Sequence, residues 1–269
     1  MSNNKLISVV MGIYNCADTL EEAVQCIIDQ TYTNWELIMC DDGSKDNTYE
    51  VAQELAKRDS RIIVIKNEKN ITLAPTLNHC IEYAKGDYIA RMDGDDICPP
   101  DRFEKEIDFL ENNKDFAFVS CFMNLYDTKG IYRVIKHKPV PTPNDMVKRS
   151  QFCHAGCMIR TDAIRAIGGY STSKNFYRIE DYDLWTRLLA HGYQGYNLQE
   201  VLYSMRDDRN AQKRRDFQNR LNEARVKAKI CKEFNLPLVE YRYIALPIIK
   251  WLMPNFVYKI AHKKKEHIF

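Results

Sequence analysis

The sequence lacks a long unbroken apolar run: the apolar and aromatic stretch Tyr241 to Ile260 is interrupted by Pro247, Lys250 and Pro254. A spanning helix needs about 20 consecutive apolar residues, so this stretch is too broken to cross a bilayer. Charge of one sign is lacking too: a formal net charge of +2 over 269 residues gives no global basis for binding nucleic acid. Neither GxGxxG nor the P-loop pattern occurs, which counts against chemistry built on a glycine-rich phosphate cradle. The polar start, Met1 to Lys5, runs straight into a strand-like segment, so no signal peptide is expected. Repeats and low-complexity tracts are absent. So is a disulfide framework. The nine cysteines are odd in number, and Cys26, Cys40, Cys80 and Cys121 lie in apolar runs. They read as reduced, buried thiols of a cytoplasmic protein. Cys153, His154 and Cys157 have no fourth partner at a useful spacing, so zinc is not expected.

What is present is apolar residue in quantity, 45%, enough for one large core or two small ones. Leu6 to Ile13 reads as a buried parallel strand. Thr19 with Glu22 fits a capping box, followed by a helix to about Gln30. Strands over Trp35 to Cys40 and Arg61 to Lys66 alternate with helices over about Asn47 to Lys57 and Leu73 to Lys85, the latter capped by Gly86. A strand ending near Met92 follows, then a helix over about Asp101 to Asn112 and a strand over Phe116 to Phe122. This alternation predicts a doubly wound α/β sheet. Further on, strands are expected at Ile131 to His137, Ala155 to Arg160 and Val201 to Met205, a turn at Gly168-Gly169-Tyr170, and helices at Glu180 to His191 and about Arg209 to Phe234.

One stretch organises the rest: Asp87-Tyr-Ile-Ala-Arg-Met-Asp93-Gly-Asp95-Asp96. Residues two apart on an extended chain face the same way, so Asp93 and Asp95 can address one target. Carboxylates this close repel each other unless a cation lies between them. A hard divalent ion, Mg²⁺ or Mn²⁺, would relieve the repulsion and bring phosphate oxygens into its shell. In an α/β sheet such a site belongs at the carboxyl ends of the strands.

Several segments, taken in order, resemble the GT-A glycosyltransferases of the family 2 type. They are Ile7 to Asn15, Gln30 to Ser44 with its Asp41-Asp42-Gly43-Ser44, Asn47-Thr48, Leu77-Asn78, Ala84 to Ile89, Asp93-Gly-Asp95-Asp96 at the place of a DxD signature, Gly168-Gly169-Tyr170, and Glu180 to Trp185. The resemblance covers about residues 6 to 206. It implies a GT-A, Rossmann-like, mostly parallel sheet flanked by helices, with a helical C-terminal extension. Residues 1–206 would be the catalytic domain, with a nucleotide-sugar half about 1–98 and an acceptor half about 99–206; 207–269 would be the extension. Roles are implied as well. Tyr14 and Asp42 would hold nucleobase and ribose, with Asp93 and Arg206 also on the donor. Asp95 and Asp93 would ligate Mn²⁺ or Mg²⁺. Asp181 would be the base that deprotonates the acceptor hydroxyl, and Glu180, His154 and Trp185 are acceptor-side candidates. Two departures stand out. Thr72 occupies a place where relatives commonly carry Gly. The family's Arg-x-His element reads Met205-Arg206-Asp207-Asp208-Arg209 here, so Asp208 is a candidate for the metal-facing place. A Gln-x-x-Arg-Trp element, a mark of processive relatives, is absent, which favours one sugar per encounter.

The resulting expectation is an inverting, metal-dependent transfer of a sugar from a nucleotide-sugar, first of all a UDP-sugar, to a hydroxyl of a glycan or lipid-linked glycan. The alternatives are a nucleotidyl- or phosphotransferase with the same Asp–metal site, and a non-catalytic nucleotide-sugar-binding module. The basic residues from Lys213 to Lys229 read as a solvated helix face. Apolar and aromatic residues from Tyr241 onward, followed by Lys263-Lys264-Lys265, suit peripheral contact of 241–265 with anionic lipid on the cytoplasmic face. Docking on the catalytic domain or on a second subunit is the other reading.

Overall fold

The computed structural model describes residues 5–207 and 216–252. The first half alternates strictly: β1 (Ile7–Ile13), α1 (Ala17–Ile28), β2 (Trp35–Asp41), α2 (Thr48–Arg58), β3 (Ile62–Lys66), α3 (Leu73–Tyr83), β4 (Tyr88–Arg91) and α4 (Arg102–Asn112). The second half holds β5 (Phe116–Asp127), β6 (Gly130–Ile135), α5 (Pro143–Met146), β7 (Met158–Arg160), α6 (Thr161–Ala166), α7 (Glu180–Ala190) and β8 (Gln194–Arg206). Helices α8 (Phe217–Glu233) and α9 (Arg242–Leu252) form the extension.

One eight-stranded sheet runs through both halves in the order β3-β2-β1-β4-β7-β5-β6, with β8 paired to β5. The strands β3, β2, β1 and β4 are parallel, and β7 enters antiparallel between β4 and β5. The expected mixed α/β sheet is therefore present, and it does not stop at residue 98. Alternation along each strand divides the core between two faces. Val9, Met11, Leu37 and Met39 join Leu20, Val24, Leu55, Phe103 and Ile107 on one face. Val10, Ile38 and Cys40 join Leu77, Ile164, Leu184, Val226 and Ile230 on the other.

Several local expectations change. Helix α1 begins at Ala17, with Cys16 as an N-cap lacking a side-chain bond, so Thr19 is no capping-box residue. The first donors of α1 are satisfied from another loop instead: Cys16 N donates to Thr48 Oγ1 at 2.8 Å and Ala17 N to Asp46 Oδ2 at 3.3 Å. That frees Thr19 Oγ1 to donate to Gly94 O at 2.9 Å. Helix α3 ends at Ala84, and Gly86 serves close approach rather than capping. A Cβ there would lie 2.6 Å from Leu6 O and from Ser8 N. The last strand is far longer than expected, because β8 pairs with β5 along nearly its whole length. Pro247 lies inside α9 as its buried residue, without breaking this short helix.

The basic helix is not merely a solvated face. Lys227 is buried and donates Nζ to the carbonyls of Val147 and Lys148 at 3.0 and 2.8 Å. Lys229 donates to Asp183 Oδ1 at 2.8 Å.

Candidate active site

The carboxyl ends of β1, β2 and β4 lie side by side, as the parallel register requires. A cleft of about 340 Å³ opens there. It is lined by Tyr14 and Asn15 from the end of β1, Cys16 to Thr19 from the start of α1, Asp46, the turn Asp93-Gly94-Asp95, and Arg206 from the end of β8. Tyr14, Asp93, Asp95 and Arg206 are thus brought together although they come from three strand ends. Asn15 has a left-handed backbone (φ 51°), which Asn tolerates. Its Oδ1 accepts from Lys45 N at 2.8 Å and its own N–H donates to Ser44 Oγ at 3.0 Å, so the β1 and β2 loops interlock. Gly94 is required by packing: a Cβ would meet Cys16 Sγ at 2.9 Å and Ile13 Cγ2 at 3.2 Å.

The turn makes its three carboxylates unequal. Asp93 is paired with Arg91, Nη2 to Oδ1 at 2.6 Å. Asp95 is open to solvent at the cleft; surrounding protein first, and the Asp93 charge second, raise its carboxyl above the ordinary range. Asp96 is buried and structural. Its Oδ2 accepts from Tyr203 Oη and its Oδ1 from Arg206 N, both at 2.8 Å, and burial with the two neighbouring charges pushes its pKa up to about 8. The stretch after Met92 is a turn, not an extended segment, so the even spacing of Asp93 and Asp95 does not give them equivalent surroundings.

Asp42 does not line the cleft. Its buried carboxylate holds the loop before α3: Oδ1 accepts from Ile71 N at 2.8 Å and Asn67 Nδ2 at 2.9 Å, and Oδ2 from Thr72 N at 2.9 Å. Thr72 is held at φ 78°, ψ 169°, a region that glycine enters freely and other residues rarely adopt. Outside that loop lies a second hollow of about 290 Å³ lined by Lys66, Asn67, Glu68, Lys69, Ile71 and His79.

The residues expected on the acceptor side gather elsewhere: Glu180 and Asp181 form the first two positions of α7. Burial raises both carboxyls, and the Arg91 charge opposes the rise in each. Ser150 Oγ lies 3.5 Å from Asp181 Oδ2. His154 pairs its Nε2 with Tyr170 Oη at 2.8 Å; burial, then Arg91, holds it well below the ordinary histidine range, so it is neutral. Trp185 is fully buried and stacked on Phe118 at 4.9 Å, a core residue rather than a pocket wall. The Gly168-Gly169-Tyr170 turn is fixed from both sides. Asn78 exchanges two 2.8 Å hydrogen bonds with Tyr170, and Arg187 donates to the carbonyls of Ile167 and Gly169. Asp183 in turn holds Arg187 and Lys229.

Among the described residues no three His, Cys, Asp or Glu side chains converge as a metal-ligand set, and Asp208 lies outside those residues. The donor set that does exist is two carboxylates, Asp93 and Asp95. Oxygen-only ligands of this kind fit a hard cation that takes the rest of its shell from water and phosphate.

A family model described as glycosyl transferase family 2 matches residues 8–168. The chain belongs to that family. It is a glycosyltransferase. Over 266 residues it is 44% identical to a provisionally assigned glycosyltransferase, EpsE, of Bacillus subtilis (strain 168), covering 98% of this chain and 96% of that one. It is 33% identical over 195 residues to the Escherichia coli UDP-Glc:α-D-GlcNAc-diphosphoundecaprenol β-1,3-glucosyltransferase WfaP, covering 72% and 74% of the two chains. The mannosyltransferase PcManGT of Pyrobaculum calidifontis, solved with GDP-Man and Mn²⁺, superposes with a TM-score of 0.68 at 16% identity, over 98% of this chain and 80% of that one. The family's GT-A fold is therefore that of this chain.

The strain at Thr72 has a measurable consequence. Relief of such a backbone is worth about 1–3 kcal/mol, and the added freedom of an unfolded glycine offsets about 0.4–1 kcal/mol. Thr72→Gly is expected to raise the Tm of the free protein, read by thermal denaturation. A fall in Tm would mean that contacts of the Thr72 side chain outweigh the strain.

Proposed function

We propose that this family 2 glycosyltransferase transfers one sugar per encounter, with inversion, from a nucleotide-sugar to a hydroxyl of a glycan or lipid-linked glycan in surface polysaccharide or glycolipid synthesis. The observation that carries the reading is Arg91, buried at the end of β4. It is bonded to Asp93 on the cleft side, and its charge reaches Asp181 and Glu180 on the other. A donor-side carboxylate turn and an acceptor-side carboxylate thus share one centre. Tyr14, Asp93 and Arg206 hold the donor in the cleft, and Asp42 acts by shaping the 67–72 loop beside it. Asp95 with Asp93 holds Mg²⁺ or Mn²⁺, which when bound offsets charge on the leaving nucleoside diphosphate. Asp181 accepts the proton of the attacking hydroxyl. Neutral His154 donates or accepts a hydrogen bond at the acceptor. With one candidate base and no evident nucleophile for a double displacement among the described residues, direct displacement would invert the anomeric centre. The WfaP name supports a UDP-sugar and a diphospholipid-linked acceptor.

Thermal shift with UDP-, GDP- and dTDP-sugars, with and without Mn²⁺, tests the donor site. Asp95→Asn is expected to abolish the metal-dependent part of the shift and metal-dependent turnover, with the Tm of the free protein not lowered. Undiminished metal-dependent turnover in Asp95→Asn removes the metal assignment.

The base has its own signature. A carboxyl raised by burial stays protonated to higher pH than an ordinary one, and only the ionised form accepts the proton. The kcat/KM profile should therefore fall on its acid side at a pH above the usual carboxylate range. Asp181→Asn should lower kcat by ~10²-fold or more and leave donor affinity unchanged. Collapse of donor affinity with a normal kcat would make Asp181 a binding residue.

Peripheral membrane contact is the last part of the reading. No helix among the described residues is long and apolar enough to cross a membrane. Helix α9 packs on α8, where the rings of Phe217 and Trp251 lie 4.8 Å apart, yet Ile249, Leu252, Leu238 and Val239 stay exposed. Exposed apolar side chains beside Arg242 and Lys250 suit an anionic interface. The full chain is expected to sediment with anionic vesicles at low salt and to be released by high salt. Retention in the supernatant at low salt would make this face a protein contact.

A further inference from the structure

Helix α8 pins two loops with two buried polar side chains. Asn222 donates Nδ2 to the carbonyls of Lys174 and Tyr177 at 3.3 and 3.1 Å. One and a half turns later, Lys227 donates Nζ to the carbonyls of Val147 and Lys148. Both loops border Asp181. Ser150 of the second reaches its carboxylate, and the first runs directly into the first turn of α7.

These loops carry Lys148, Arg149, Lys174 and Arg178, all exposed. None of the four, nor Glu180 or Asp181 beside them, forms an ion pair among the described residues, while the other carboxylates nearby are paired elsewhere. Asp145 holds Lys138, Asp183 holds Arg187 and Lys229, and Glu223 holds Arg220 and Lys227. Arg178 is further set in a left-handed backbone (φ 64°) immediately before the helix that presents the base. The result is a rim of four exposed cations beside the carboxylates of Glu180 and Asp181, on backbone fixed from beneath.

Charge complementarity decides the occupant. A hydroxyl poised at Asp181 belongs to a sugar whose anomeric substituent lies about one ring away. Arg149 immediately precedes Ser150, which reaches Asp181, and Arg178 stands two residues before Glu180. Guanidinium groups match phosphate oxygens in pairs. The donor's own diphosphate belongs at Asp93 and Asp95, so this rim is a second anion position. We propose that Lys148, Arg149, Lys174 and Arg178 bind the diphosphate of a lipid-linked acceptor sugar, on loops that α8 holds in place through Asn222 and Lys227. The proposal rests on the acceptor reading above and names the group by which that acceptor is recognised.

The test uses the full chain with its donor site saturated by UDP and Mn²⁺. Two detergent-free probes are titrated: α-GlcNAc diphosphate carrying a short alkyl chain, and an alkyl α-GlcNAc glycoside without the diphosphate. The expected result is that Arg149→Gln/Arg178→Gln weakens the diphosphate probe by about tenfold or more, as loss of charge-assisted bonds does, and leaves the neutral glycoside unchanged. The thermal shift with UDP and Mn²⁺, unchanged in the variant, reports that the fold and donor site are intact. If the parent chain gives no such shift, the donor reading fails, while the two probes, titrated alone, still compare the rim with its variant. Equal binding of the diphosphate probe by parent and variant overturns the proposal, and so does equal weakening of both probes. Phosphatidylglycerol vesicles without sugar form a third arm: if they displace the probe as well as unlabelled sugar diphosphate does, the rim is a headgroup site and the acceptor assignment falls.

Discussion

A guanidinium sealed inside the sheet constrains both sides of the site. Taking a cation out of water costs several kcal/mol unless partners replace the lost hydration. Arg91 is 4% exposed, its Nε has no partner, and Asp93 is its ion pair. Asp93 is therefore held where the buried charge needs it. The turn that follows inherits that fixity, because Tyr203 Oη bonds to both Asp93 N and Asp96 Oδ2, and Asp96 grips the backbone of Arg206. Strand β8 is not a neighbour of β4 in the sheet, yet its end is drawn to the end of β4 by these bonds.

Helix α8 extends the same logic to the acceptor side. It is joined to the core by Val226, Ile230 and Cys231, and to the base helix by Lys229 on Asp183. The extension thus shares one apolar cluster with α3, α6 and α7, and a boundary at residue 207 marks a change of sequence pattern rather than a break in packing. Buried Lys227 is satisfied by two backbone carbonyls and by Glu223 on its own helix.

The first half of the chain was legible in sequence because each parallel strand carries a β-branched apolar run and each helix a 3.6-residue stripe. Strand ends then locate Tyr14, Asp93 and Asp95 without further information. Legibility failed where partners come from far along the chain. Arg91 stands in the organising stretch itself, and an arginine in a buried strand breaks the apolar pattern and demands a counter-charge; that break was the available signal. Nothing local shows that Thr48 and Asp46 cap α1, and so Thr19 looked like a cap. Asp42 carries the marks of a ligand residue in sequence, while its three hydrogen bonds to residues 67–72 depend on a register only the fold supplies. Trp185 was ambiguous for a simpler reason: an aromatic on an amphipathic helix reads alike whether it faces a pocket or the core, and here stacking on Phe118 puts it in the core.

The inequality of Asp93 and Asp95 bears on how the proposed metal and donor bind. Asp93 arrives already neutralised by Arg91, at 2.6 Å, so it offers a cation little net charge. Asp95 is the carboxylate of this pair without a cationic side chain bonded to it, and burial first, then the Asp93 charge, raises its proton affinity. A hard ion meeting one free and one committed carboxylate keeps most of its water. Phosphate oxygens of the proposed donor would supply the negative charge that Arg91 has cancelled. If both bind there as proposed, metal and nucleotide would strengthen each other's binding by the same factor, as linkage requires. On the proposed reading, the buried arginine that fixes the turn would tie occupancy of the metal position to the presence of the donor.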